Sequence, residues 1–130
     1  MEDDGVPERI FDAANDGELE EVEKFLASVA APRDVVNAVS AKVGNATLLS
    51  CVPFGWPFTA GHVKLVRRLI SLGADVNHIE TDGSSPLIYL LQCFGARCSG
   101  KAVIDMISLL LCAGADVNHE REYYEGREFG

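Results

Sequence analysis

The chain has 130 residues, enough for one domain with a real core and too few for two ordinary ones. With 48% hydrophobic and 24% charged residues it has the composition of a globular protein, not of a disordered tail. A net charge of −9 argues against nucleic acid as the main partner, because phosphate binding needs a clustered basic face.

The N-terminus, Met1-Glu2-Asp3-Asp4-Gly5, is acidic where a secretory signal is basic and then apolar. No apolar run approaches the ~18 residues that span a bilayer; the best, around Met106 to Ala113, is far shorter. A cytoplasmic or nuclear protein with no membrane insertion is expected. Residues 1–23 carry ten acids against Arg9 alone, and from Lys24 onward ten acids meet ten bases. The whole charge therefore sits in the first segment, which reads as a solvated end-cap or as an acidic dock for a basic partner.

Farther along, VPFGWPFTA (52–60) holds Pro53 and Pro57, so a helix before it should stop near Cys51 or Val52. VKLVRRLI (63–70) places Val63, Val66, Leu69 and Ile70 on one helical face. Gly73 just beyond suits a left-handed C-terminal cap, and Asp75-Val76-Asn77 suits a turn into extended chain. FGARCSGKA (94–102) has glycines and a polar centre. IDMISLLL (104–111) then repeats the helical pattern, and LGADVNH (72–78) returns as AGADVNH (113–119), with Gly73 and Gly114 41 residues apart. Cys51, Cys93, Cys98 and Cys112 form no zinc knuckles with the scattered His62, His78 and His119. Cys112, inside LLLCAGA, reads as a small buried hydrophobe. No metal and no structural disulfide is expected.

These strings resemble the ankyrin repeat family, whose pattern is a hairpin ending in Asp-Gly-x-Thr-Pro-Leu, a helix, Gly-His, a second helix, then Gly-Ala-Asp-Val-Asn. TDGSSPLIYLL (81–91) matches the hairpin and first helix, with Ser85-Pro86-Leu87 in the Thr-Pro-Leu place. NATLLS (45–50) is a weaker copy, Leu48 replacing proline, and Gly61-His62 fits the interhelix turn. ERIFDAANDGELEEVEKFLAS (8–28) fits without gaps, Ala13-Ala14 and Gly17 falling on the family's alanine pair and glycine. DVVNAVSAKVGN (34–45) reads as the finger leading into the second repeat. The resemblance spans about residues 8–119 and implies an all-α fold, a solenoid of about three helix-turn-helix repeats with short β-hairpin fingers. One domain would cover 1–130: repeat 1 about 8–33, repeat 2 about 34–76, repeat 3 about 77–117, and 118–130 opening a further finger or forming a tail. Such repeats stack because one helix pair cannot bury its apolar face alone.

Departures from the pattern are as informative. Thr47 to Gly73 is 26 residues and Ser85 to Gly114 is 29, against roughly 21 in a repeat of about 33. The excess lies between the two helices of each repeat, so the two insertions should touch. Phe54, Trp56 and Phe58 then form a mini-core on that neighbour or an exposed secondary patch. Val52-Pro53 and Leu90-Leu91 replace the alanine pair, which should loosen the stacking. At the far end, HEREYYEGREFG (119–130) starts like another finger. The chain is expected to be the N-terminal piece of a longer protein with further repeats or domains beyond Gly130. Otherwise Tyr123, Tyr124 and Phe129 fold back over repeat three, or that repeat pairs with another chain.

No phosphate loop, dinucleotide fingerprint, nucleophile elbow or H-E-x-x-H is present, and no enzyme activity or cofactor is expected. The resemblance implies a non-catalytic scaffold or adaptor that binds a protein partner through its fingers and first helices. The contacting residues it carries over are Lys42, Val43, Thr81, Asp82 and Ser84 on the fingers, then Asp12, Asn15, Asp16, Tyr89 and Gln92 on the helices. Alternatives are a regulatory or targeting segment of a larger enzyme or channel, and a structural unit that self-assembles through its uncapped C-terminal repeat. The family's finger asparagines are also hydroxylation substrates, and Asn77 and Asn118 match that context, with Leu69 and Asp75, and Leu110 and Asp116, at the favoured upstream places.

Overall fold

The computed structural model describes residues 6–40, 44–54, 58–93 and 100–116, apart from the side chains of Phe54 and Cys93. In order they form α1 (Glu8–Asn15), α2 (Leu19–Ser28), the short α3 (Pro32–Val35), α4 (Leu48–Cys51), α5 (Ala60–Ser71), α6 (Pro86–Cys93) and α7 (Lys101–Cys112). A 3-10 turn at Val52–Phe54 prolongs α4. The all-α expectation holds. Among the described residues extended backbone pairs only at the antiparallel bridge Ser40–Ala46, and the second expected hairpin is a tight turn in which Glu80 N–H donates to Ser84 O at 2.9 Å.

Local chemistry explains where these helices begin and end. Gly17 (φ 72°), Gly73 (φ 94°) and Gly114 (φ 99°) follow α1, α5 and α7 in the left-handed conformation. At each, the glycine N–H and the next residue's N–H turn back onto carbonyls of the last helical turn: Gly73 to Ile70 and Ala74 to Leu69, both at 3.0 Å. The same two bonds recur at Gly17 and Gly114, and they satisfy carbonyls that would otherwise be orphaned. At the other ends, Thr47 and Ser50 exchange backbone and hydroxyl bonds across the start of α4. Ser85 Oγ accepts from Ile88 N–H ahead of α6, where Pro86 takes the first position. Pro32 likewise opens α3, so the stretch read as a finger from residue 34 begins with a helical turn.

The helices pack as pairs, α1 with α2, α4 with α5 and α6 with α7. α1, α4 and α6 make one row; α2, α5 and α7 make the other. α4 has only four residues, too few to be stable as an isolated helix, and all four of its side chains are buried. On α5 the buried stripe is His62, Leu65, Val66 and Leu69, one step round from the predicted face; Val63 and Ile70 flank it half-buried. Ala13 and Ala14 are buried where α1 meets α4, whereas in α6 Leu90 is buried and Leu91 is 48% exposed.

Two kinds of side-chain bond tie one pair to the next. His62 is buried: its Nδ1 accepts from Thr59 N–H (2.9 Å), so the proton rests on Nε2, which donates to Asn15 O (3.0 Å). Burial holds its pKa below the ordinary 6.5, and the ring is neutral at pH 7. Gly17 and Gly61 let the turns close on this imidazole; a Cβ on Gly17 would run into the His62 ring, and one on Gly61 into Gly17 O. On the opposite loops, Asn37 Nδ2 donates to Gly73 O (3.1 Å) and Asn37 Oδ1 accepts from Asp75 N–H (2.8 Å). Asn77 does the same to Gly114 O (3.1 Å) and Asp116 N–H (2.7 Å).

Gly17→Ala is expected to lower stability by more than the ~1–2 kcal/mol of left-handed backbone strain, because the His62 ring must also move. Urea unfolding checks this; a loss under about 0.5 kcal/mol, as at an ordinary surface site, is the contrary result.

Candidate functional site

The site is built where the second finger loop, residues 77–85, folds onto α6 beside α1 and α4. Asp82 Oδ1 accepts from Ser84 N–H (3.0 Å), and Thr81 N–H donates to Gly44 O of the first finger loop (3.0 Å). His78 Nε2 bonds Asn45 O of that loop at 2.6 Å, so the two finger loops are joined directly. Ser40 Oγ in turn donates to Glu8 on α1, at 2.8 Å to the nearer carboxylate oxygen.

Glu80 is the unexpected member. The residue is 6% exposed; Tyr89 Oη lies 3.3 Å from Oε1, and Oε2 has no hydrogen-bond partner among the described residues. The same phenol donates to Asp82 Oδ2 at 2.7 Å. Burial pushes the Glu80 carboxyl above its ordinary range and the Asp82 charge adds to this, against the opposing pull of the Ser50 hydroxyl first and then of Tyr89 and His78. Tyr89 is raised as well, by burial first and then by its bond to Asp82. The buried Cys51 thiol on α4 is pushed up to about 12, by burial first and then by the fields of Glu80, Glu8 and Asp12. Acids from α1 and from the second finger loop thus converge around α4.

Of the residues expected to touch a partner, Asp12, Asp16, Thr81, Asp82 and Gln92 are exposed and Asn15 is half-buried. Lys42 and Val43 lie outside the described residues. Ser84 is a correction: it is fully buried, because the tight turn at 80–84 folds its side chain inward, and it is no surface contact. Tyr89 is half-buried and holds the finger through Glu80 and Asp82. Asn77 spends both ends of its amide on the next loop, and Asn118 lies outside the described residues.

Phe58 is half-buried against the core, its ring edge-on to His62 at a centroid distance of 5.2 Å. Trp56, the side chain of Phe54 and the second insertion from 94 to 99 lie outside the described residues. Cys112 corrects another expectation. It is an exposed free thiol on the side of α7 facing Arg67, whereas Cys51 is the buried one. Among the described residues no group of His, Cys, Asp and Glu could hold a metal ion, and no helix is long and apolar enough to cross a membrane. No protein-family model matches the chain.

Glu80→Gln is expected to stabilise the protein at pH 7. A carboxyl whose folded pKa is raised favours folding fully only below its unfolded value, and that contribution is lost as pH rises through the folded value. The variant should melt about 4 °C higher at pH 7, the effect of roughly 1 kcal/mol in a chain of this size, with the gap narrowing toward pH ~4.5. A gap that stays constant across this range contradicts the assignment of a buried, raised carboxyl.

Proposed function

We propose that this chain is a non-catalytic, cytoplasmic or nuclear protein-interaction module of the ankyrin-repeat type. Its finger loops and first-row helices recognise a basic segment of a partner protein. One observation carries the reading: Asp12 of α1, Asp16 at its C-cap and Asp82 of the second finger loop are exposed acids on the helix row and loop that this reading assigns to the partner. Exposed charges of one sign on a shared row attract and orient a partner of opposite charge. The doubled Gly-Ala-Asp-Val-Asn, the three glycine-capped helices and the Asn37 and Asn77 bonds support the repeat reading.

A second reading, self-association through the last helix pair, is favoured by Leu91, Ile104 and Leu111, which are 48%, 51% and 43% exposed on α6 and α7.

The test is affinity capture with the intact chain, followed by affinity measurements on the captured partner. Asp82 and Tyr89 are unsuitable targets because they hold the finger. Asp12→Lys with Thr81→Lys alters two exposed side chains instead and is expected to weaken the complex by at least ~2 kcal/mol, the scale of a hot spot. Arg67→Ala with Arg68→Ala, on the other row, should cost under ~0.5 kcal/mol. If Trp56→Ala abolishes binding with the fold intact while the lysine pair binds normally, the insertion loop is the site instead. A molar mass that rises with concentration, and falls back in Ile104→Lys, supports self-association.

A further inference from the structure

On the row away from the finger loops, α5 and α7 lie side by side and leave an open groove of about 400 Å³ between their first turns. Ala60, Val63 and Ala102 give it apolar walls, and Lys64, Arg67 and Lys101 stand around it. Arg67, Lys101 and Asp105 also border a second hollow of about 280 Å³ that continues past Ser108 to Cys112. The two make one trough along α7, roughly 16 Å long at the rise of a helix.

The charge of this trough is opposite to that of the chain. It holds three of the seven lysines and arginines among the described residues, in a protein of net charge −9. Among the described residues its one carboxylate, Asp105, is paired with Lys101 at 3.0 Å. Lys64 and Arg67 make no hydrogen bond or ion pair with any described residue, whereas the neighbouring Arg68 is held by Glu23 at 2.9 Å. The first residues of both helices, Ala60 and Lys101, line the trough, so two helix N-termini add their positive ends to it. Thr59 caps the first; Gly100, before the second, has no side chain with which to cap it.

We propose that the α5–α7 trough is a second docking surface, for an acidic segment of a partner protein that carries an aliphatic residue between its carboxylates. Arg67, at the junction of the two hollows, takes a carboxylate in bidentate fashion, and Lys64 and Lys101 take its neighbours. The aliphatic side chain sits against Val63 and Ala102. Among the described lining residues the trough has no aromatic platform for bases, which favours peptide over single-stranded nucleic acid.

The probe is a labelled peptide of about a dozen Glu, Asp and Leu residues, titrated with the full chain and followed by anisotropy in about 50 mM salt. Saturable binding is expected, weakening at least ~10-fold in Lys64→Glu with Arg67→Glu and again on raising salt to about 300 mM. The neutral pair Lys64→Gln with Arg67→Gln should fall between, with circular dichroism confirming that each variant is folded. Asp12→Lys with Thr81→Lys should not weaken the peptide, so failure here and failure at the finger face are distinguishable. Equal binding of a peptide with Gln and Asn in place of its acids overturns the proposal, as does unchanged affinity in the charge-reversed pair. So does displacement of the peptide by an oligonucleotide of thymidines, or a concentration-dependent mass lost on charge reversal, which would make a second copy the occupant.

Discussion

The fingers stand where they do because two asparagine amides bridge successive loops. Asn37 reaches from the loop after α3 to Gly73 and Asp75, and Asn77 reaches from there to Gly114 and Asp116. Each amide gives its donor to a carbonyl and its acceptor to an N–H, so it fixes both position and orientation of the next loop. Apolar burial drives the helix pairs together without choosing their register, being non-directional. Directional bonds choose it. At the other end of the pairs the neutral His62 does the corresponding work, donating to Asn15 O while accepting from Thr59.

Two faces of opposite character follow from this register. Glu8, Asp12 and Glu80 come from separate parts of the chain, and their fields reach the buried Cys51 because α1, α4 and the second finger loop are aligned. Lys64, Arg67 and Lys101 meet because α5 and α7 run side by side with their N-termini together. Neither cluster adds to stability: like charges repel, and Glu80 is buried with one oxygen unpaired among the described residues.

Features set by local chemistry were legible from the amino-acid sequence. Gly73 and Gly114 cap their helices because only glycine takes the left-handed conformation freely, and the proline at 53 limits α4 to one turn before a 3-10 extension. The helical face of α5 was found only approximately. Val63 and Ile70 satisfy the same periodicity as Leu65, and which stripe faces inward depends on what lies opposite. Asn37, Glu80, Ser84 and Tyr89 were illegible in their actual roles, since each is decided by a neighbour brought in by stacking or by a turn. Cys112 misled for a related reason: its sequence neighbours are apolar, but the side of α7 that it occupies is open. The basic trough was illegible in the sequence, because Lys101 lies 34 positions after Arg67 and joins it through packing alone.

The measurement that bears most directly on this account is urea unfolding of Asn37→Ala, Asn77→Ala and the double variant. At about 0.5–1.5 kcal/mol net for each hydrogen bond, the account expects each substitution to lower stability by roughly 1–3 kcal/mol with an unchanged m-value. Some coupling between the two losses is expected, since Asp75 links the clamps: Asn37 holds its N–H, and its Oδ1 accepts from Asn77 N–H at 2.9 Å. Losses under about 0.3 kcal/mol at both positions would mean that apolar packing alone sets the register, and would contradict the account.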